Sequence, residues 1–240
     1  MKLTILMYHK IDELPNGVRH PGNYVRPAEF ERQMDALLAW GYRTIRFEQW
    51  IDARDPRSAT ALPEKPLIVT FDDGYTCFDA HAWPALRARG MNATVFLVSG
   101  QIGGTNAWES DEIALPLLDA TRILALQSEG VHFASHSVTH RALVHIPAEE
   151  ASEELARSRT QLRELLGRDV DVFAYPFSNQ NGDVRQLARE AGYRCAVRGK
   201  GRMNSPTTDL FGLRRIKVEP TTTVESLERT LARERRRWFL

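Results

Sequence analysis

Two short polar motifs, each directly after an apolar run, carry the residues of this sequence that are best suited to chemistry. The first is Thr70-Phe71-Asp72-Asp73-Gly74, and the second is Ser135-His136-Ser137-Val138-Thr139-His140. Two histidines and one carboxylate form a ligand set that holds Zn²⁺ and leaves a coordination position open for water. Such an ion acidifies the water, so the sequence predicts a hydrolytic metal site with one carboxylate to spare.

The two carboxylates of the first motif are expected to have different roles. Successive side chains of a strand point to opposite faces, so Asp72 and Asp73 should not both bind one ion. The carboxylate that does not bind the ion is free to accept a proton from the water as a general base. The two histidines are four positions apart, and a helical turn would put His136 and His140 on one face.

Both motifs resemble those of the polysaccharide deacetylases of carbohydrate esterase family 4, the NodB-homology domain. The family motifs are T-F-D-D-G and H-[ST]-x-x-H, and this sequence has both in the same order. In that family the first Asp is the general base, and the second Asp binds the metal together with both histidines. The resemblance therefore implies Asp72 as the base and Asp73, His136 and His140 as ligands. It implies a divalent cofactor, first of all Zn²⁺, with Co²⁺, Ni²⁺ or Fe²⁺ as alternatives.

A third family motif, R-x-P-[YF], is matched in part by Ala174-Tyr175-Pro176-Phe177, where Ala replaces the Arg. The resemblance implies that Tyr175, Pro176 and Phe177 contact the substrate and that the backbone N–H of Phe177 stabilises the oxyanion. Tyr75, directly after the first motif, is a further candidate for substrate contact. The Arg that tunes the base in the family is missing from this motif.

The remaining family motifs are weak in this sequence. No D-x-x-D-W stretch is found, and the fifth motif, which normally ends in a general-acid His, is reduced to residues 213–218. No histidine lies within or after that stretch, so His9 is the candidate general acid. Arg198, Lys200 and Arg202 lie in a loop and offer replacements for the missing Arg, but we expect them to face solvent.

The resemblance implies hydrolysis of N-acetyl groups on the sugars of a polysaccharide or glycoconjugate, and residues 6–9 and 93–96 resemble the exopolysaccharide branch. The missing Arg and His leave open a non-catalytic carbohydrate-binding relative. A hydrolase of the same mechanism acting on an O-acetyl ester or a non-sugar amide is also open. The same ligand set describes non-haem iron oxygenases, but those sit mostly on antiparallel folds, which the pattern here does not favour.

The composition limits the partners and the location. The chain has 240 residues, 42% of them hydrophobic, which fits one domain of barrel size spanning residues 1–240. The net charge of +1 gives no reason to expect nucleic acid or a membrane surface as a partner. No apolar run is long enough for a membrane span, and residues 1–9 are too short for a signal peptide. We expect a cytoplasmic protein as the sequence stands, and a cell-envelope protein if a leader was removed.

Strand and helix signals alternate along the chain, which predicts an α/β fold with parallel strands. Glycines follow the helical segments, as expected for left-handed C-terminal caps. Each motif follows a predicted strand, at the end where parallel α/β folds bind ligands. The resemblance implies an irregular (β/α)7-type barrel, although the pattern alone does not separate it from an open doubly wound sheet. The predicted strands are residues 3–8, 67–71, 93–97, 131–135, 170–175 and 193–197.

Overall fold

The computed structural model describes residues 2–199 and 201–236. Its strands are β1 (Thr4–Tyr8), β2 (Lys10–Ile11), β3 (Tyr24–Val25), β4 (Tyr42–Thr44), β5 (Lys65–Phe71), β6 (Thr94–Leu97), β7 (His132–Ser135), β8 (Val172–Ala174), β9 (Cys195–Arg198), β10 (Leu213–Arg214) and β11 (Ile216–Lys217). Its α-helices are α1 (Pro27–Ala39), α2 (Phe47–Asp52), α3 (Trp83–Ala88), α4 (Ala120–Ser128), α5 (Ala148–Leu166), α6 (Gly182–Glu190) and α7 (Val224–Arg236).

The main sheet runs in the order β10-β9-β8-β7-β6-β5-β1-β11, with β4 added beside the start of β5, and its strand pairs are parallel. Only Arg215 separates β10 from β11, so residues 213–217 pair with β9 through one half and with β1 through the other. This closing segment joins the two sides of the sheet. The predicted parallel (β/α)7-type barrel is confirmed, and the open doubly wound sheet is excluded.

The six predicted strands are all found, with ends within two residues of those predicted. The closing segment was not predicted as a strand because arginines and a lysine interrupt its apolar residues, so it has no continuous apolar run. The helices end as predicted, because a glycine with a left-handed backbone follows each of five helices. These glycines are Gly41, Gly90, Gly130, Gly167 and Gly192.

The strand side chains form two separate apolar clusters. Ile5, Ile68, Phe96, Val197 and Leu213 come from five strands around the sheet and belong to one cluster, which therefore fills the barrel interior. The alternate residues of the strands belong to the other cluster, which packs against the surrounding helices. The wall of the barrel thus has an inner and an outer face, and neighbouring residues of one strand can be assigned to opposite faces.

No helix within the described residues combines the length and the apolar content that crossing a bilayer requires. The single-domain span and the cellular location stay predictions.

Candidate metal centre and active site

The first motif forms a tight turn beyond the end of β5. Asp72 is still tied to the sheet, since its N–H donates to the carbonyl of Tyr8 at 3.0 Å. Asp73 has a φ of 76° and Gly74 a φ of 83°, both in the left-handed region. A Cβ at Gly74 would lie 2.7 Å from Leu97 Cδ2, so a larger residue would strain this left-handed backbone and displace the leucine side chain. The turn, and not the alternation of a strand, gives the two carboxylates different surroundings.

The second motif is a loop, and the predicted helical turn is wrong. Ser137 and His140 have φ values of 68° and 61°, which end any regular helix. The N–H of His140 donates to Ser137 Oγ at 3.0 Å. Glu154 of α5 is buried and accepts hydrogen bonds from the N–H groups of Val138 and Thr139, each at 2.9 Å. A carboxylate from a distant helix therefore fixes the loop that carries the histidines.

Asp73, His136 and His140 converge as a buried cluster. Their potential ligand atoms lie within 4.8 Å of one another, and Asp73 Oδ1 is 3.6 Å from His136 Nε2 and 3.3 Å from His140 Nε2. His136 Nδ1 donates to the carbonyl of Ala174 at 2.7 Å, which leaves Nε2 free for a ligand. Asp73 Oδ1 is buried without a hydrogen-bond partner among the described residues. One carboxylate and two imidazoles with an unsatisfied buried oxygen fit a divalent ion such as Zn²⁺.

The protonation states of this cluster favour metal binding. Burial alone would raise the pKa of Asp73, but the neighbouring imidazoles hold it well below its usual range. Burial lowers the pKa of His136 to about 4. An ionised carboxylate and a neutral imidazole are the forms that bind metal ions, so neither group needs to lose a proton at neutral pH.

Asp72 is held by an arginine and kept out of the cluster. Arg215 donates from Nη1 to Asp72 Oδ1 at 2.5 Å and from Nη2 to Oδ2 at 2.7 Å, and both side chains are buried. Arg215 Nη1 also lies 3.2 Å from Thr70 Oγ1. Burial raises the pKa of Asp72, but Arg215 together with the nearby His136 and His9 outweighs it, and the net shift is downward. The candidate base is therefore an ionised carboxylate at neutral pH.

The sequence reasoning missed Arg215 as the replacement for the family Arg. Arg198 and Arg202 make no contact with Asp72, and Lys200 lies outside the described residues. The signal that could have found Arg215 is the period of two in the closing segment. If Leu213 points inward in a strand, the side chain two positions later points inward as well.

His9 lies beside the candidate base. Its Nε2 is 3.9 Å from Asp72 Oδ2, and its side chain is 15% exposed. Burial lowers the pKa of His9, although Asp72 and Asp73 oppose that shift. The imidazole is therefore neutral at neutral pH.

Two aromatic side chains contact His140. Phe177 is 55% exposed, has a φ of 55°, and meets the His140 ring edge to face at 4.7 Å between centroids. Trp108, from the segment between β6 and α4, stacks on the same ring at 4.6 Å. Trp108 belongs to none of the motifs, so no sequence pattern pointed to it. Together the two aromatics provide apolar surface next to the cluster.

Three predicted substrate contacts are instead part of the core. Tyr175 is 1% exposed and donates its hydroxyl to the carbonyl of Phe211 at 3.0 Å. Pro176 is buried as well. Tyr75 is 2% exposed and donates its hydroxyl to Glu109 Oε2 at 3.3 Å. These side chains have no free surface for a glycan, because apolar packing and their own hydrogen bonds occupy them.

Comparison with known families agrees with this geometry. The family profile described as polysaccharide deacetylase matches residues 59–196, which is more than half of the 240 residues. The matched range includes both aspartates, both histidines and the third motif. The chain belongs to the polysaccharide deacetylase family.

Individual relatives are similar over most of the chain. YxkH of Bacillus subtilis, itself named as a polysaccharide deacetylase, is 26% identical over 226 residues, covering 91% of this chain and 72% of YxkH. The poly-beta-1,6-N-acetyl-D-glucosamine N-deacetylase of Staphylococcus epidermidis is 24% identical over 233 residues, covering 89% of this chain and 78% of that protein. The structure of the Streptococcus pyogenes deacetylase PplD superposes with a TM-score of 0.82 at 24% identity, covering 96% of this chain and 98% of PplD. The superposition on PplD shows that the two chains share a fold.

Proposed function

We propose that this protein is a divalent-metal-dependent deacetylase that hydrolyses the N-acetyl groups of a glycan. The observation that carries the proposal is that two adjacent carboxylates have different partners. Asp73 lies with His136 and His140, while Asp72 is held as a carboxylate by Arg215. A divalent ion held by the cluster would acidify a water molecule and polarise the acetyl carbonyl.

Asp72 serves as the general base. Arg215 occupies one lone pair on each carboxylate oxygen, and each oxygen keeps a second one that can accept the proton of the attacking water. Because the carboxylate is ionised at neutral pH, it is in the form that a base requires. The backbone N–H of Phe177 donates to the oxyanion that develops on the acetyl group.

His9 serves as the general acid. Its lowered pKa makes the resting imidazole neutral, so it has no extra proton to give at the start. The 3.9 Å between Asp72 Oδ2 and His9 Nε2 is too long for a direct hydrogen bond, so the proton that Asp72 takes from water passes through one bridging water molecule to His9, which gives it to the departing amine. The balance is one water and one amide consumed, with acetate and a free amine formed.

The surroundings of His140 and the names of the relatives support the proposed substrate class. The rings of Trp108 and Phe177 offer apolar faces suited to an acetyl methyl group and a sugar ring. The Staphylococcus epidermidis relative is named for its action on poly-beta-1,6-N-acetyl-D-glucosamine. We assign this chain an exopolysaccharide of the same kind, a polymer of N-acetylated hexosamine.

The non-catalytic alternative loses its main support. It rested on the missing Arg of the third motif and the missing His of the fifth motif. Arg215 lies against the base, and His9 lies within 3.9 Å of it, so both kinds of group are available from other positions in the chain.

Acetate release tests the proposal. Protein stripped of metal and then reloaded with Zn²⁺, Co²⁺ or Ni²⁺ is assayed on N-acetylated hexosamine oligomers and on O-acetylated esters. We expect release from the oligomers with metal and none without it. The matched control Asp169→Asn changes a carboxylate that is 71% exposed and should behave as wild type. Metal-independent release, release from esters alone, or no release despite stoichiometric metal would refute the proposed reaction.

A further inference from the structure

A polar cavity of about 510 Å³ lies on the outer face of the barrel wall, beside β9, β10 and α6. Val197 and Leu213 belong to the inner cluster, so the next residues, Arg198 and Arg214, point to the outer face. These two arginines are direct partners in the pairing of β9 with β10. Arg185, from α6, Arg202 and Lys2 complete the cationic lining.

The acidic groups around this cavity are already engaged. Asp209 binds Arg185 at 3.1 Å and Arg189 at 3.0 Å. Glu234 also borders the cavity, and its Oε1 lies 3.8 Å from Arg233 Nε, while Lys2 donates to its backbone carbonyl. The nearby carboxylates therefore do not neutralise the arginines on the two strands.

Three of the arginines have no anionic partner among the residues that the structure describes. Arg198, Arg202 and Arg214 make no side-chain hydrogen bond or ion pair there. Arg198 Nε is fully buried without an acceptor, and Gln180 Oε1 in the same lining is buried without a donor. Burial together with Arg214 and Arg185 lowers the pKa of Arg198.

An anion in the cavity would compensate the repulsion between Arg198 and Arg214 and supply an acceptor to the buried Arg198 Nε. Like charges placed opposite each other on neighbouring strands destabilise a sheet, and a buried donor without an acceptor carries a desolvation penalty. The planar fork of a guanidinium binds two oxygens of a phosphate at once. The cavity has the size of a small-molecule site, which is larger than a lone phosphate ion needs.

We propose that this cavity binds a phosphate group, through Arg198, Arg202 and Arg214. A phosphorylated small molecule is the first candidate for the source, and free phosphate is the other. The site lies on the outer face of the wall, whereas Arg215 and Asp72 lie on the inner side, so its occupation does not depend on the proposed deacetylation.

Isothermal titration calorimetry on the metal-free protein tests the proposal, because removal of metal prevents phosphate from binding at the metal centre. The probes are glucose 6-phosphate, inorganic phosphate and uncharged glucose. We expect both phosphates to bind and glucose not to bind. Tighter binding of glucose 6-phosphate identifies an ester as the source, and tighter binding of inorganic phosphate identifies the free ion. Absence of binding by both phosphates overturns the proposal.

Variants place the binding at this cavity. Arg198→Ala with Arg214→Ala should weaken phosphate binding at least about tenfold, equivalent to about 1.4 kcal/mol. The control Arg157→Ala removes an arginine on α5 that is 59% exposed, and it should bind as wild type. Equal affinity in the double variant would overturn the assignment. If the double variant does not fold, the charge reversal Arg202→Glu at an exposed position gives the same test, with the same expected loss.

Discussion

Arg214 and Arg215 are neighbours in sequence but lie in opposite electrostatic environments. Arg215 points to the inner face, is almost fully buried, and donates to both oxygens of Asp72. Arg214 points to the outer face, opposite Arg198, with no carboxylate partner among the described residues. Arginine is therefore paired with a carboxylate at one site and, within the part of the chain that the structure describes, lacks an anionic partner at the other. A buried arginine that donates to both oxygens of one carboxylate holds the candidate base in place. Arginines without an anionic partner indicate instead that a bound ligand supplies the anion.

The largest effect is expected at the metal cluster formed by Asp73, His136 and His140. Asp73→Ala removes the only carboxylate of the cluster, so we expect loss of stoichiometric metal binding. The value of kcat/KM should fall at least about 1000-fold, equivalent to about 4 kcal/mol. Metal content by mass spectrometry and acetate release measure the two effects. Wild-type metal content in this variant would contradict the ligand assignment.

The comparison of the two arginines is tested next by Arg215→Met. This change leaves Asp72 buried without its cation, so we expect the free energy of unfolding to fall by about 3–5 kcal/mol in urea. Adding Asp72→Asn to the same chain should restore part of that loss, because the uncompensated charge is gone. A single variant as stable as wild type would show that the pair does not anchor the closing segment.

Glu154→Ala tests the support of the histidine loop from α5. The N–H groups of Val138 and Thr139 would lose their acceptor, which we expect to lower the free energy of unfolding by about 2–4 kcal/mol. Metal affinity should fall about 10- to 100-fold, as for other residues that orient metal ligands. Glu153→Ala, at a neighbouring position that is 71% exposed, is the matched control. Equal effects of the two changes would contradict this role.

The pH dependence of the metal-free protein reports on His136. Its imidazole takes up a proton near pH 6.5 when unfolded and only near pH 4 when folded. The unfolded state therefore binds more protons between these values, and stability should fall as pH is lowered through this window. His136→Gln should reduce the slope by about 1.4 kcal/mol per pH unit. An unchanged slope would show that His136 is not buried in its neutral form.

The smallest effect is expected for Arg214, on the outer face of the barrel wall. Arg214→Ala removes a cation that has no carboxylate partner, so the free energy of unfolding should change by less than about 0.5 kcal/mol. Removing its repulsion from Arg198 acts in the stabilising direction. Urea denaturation beside Arg215→Met gives the direct contrast. A loss in Arg214→Ala as large as in Arg215→Met would remove the distinction between the two faces.

Much of the barrel could be predicted because its strands are continuous apolar runs and its helices end in glycine. The residues of the cluster could be named because they lie in motifs with fixed spacing. The shape of the second motif could not be predicted, since Glu154 and the left-handed residues, and not local helix formation, decide it. Arg215 and Trp108 escaped prediction because each reaches the site from a segment that carries no intact motif.

The burial of the predicted substrate contacts could not be predicted from the sequence either. Tyr175 and Phe177 are two positions apart in one motif, yet Tyr175 is 1% exposed and Phe177 is 55% exposed. The left-handed backbone at Phe177 turns the chain there, and no pattern of residue types in this sequence indicates that turn. Burial within a motif depends on backbone angles that the sequence does not display.

We propose that Asp72 acts as a base while the cluster beside it binds the metal. The most direct measurement is acetate release by metal-loaded Asp72→Asn, with metal content determined on the same sample. The amide keeps the shape of the side chain but cannot take the proton of water at neutral pH. We expect wild-type metal stoichiometry with kcat lowered about 100- to 10,000-fold. Turnover at the wild-type rate by the metal-loaded variant would contradict the account.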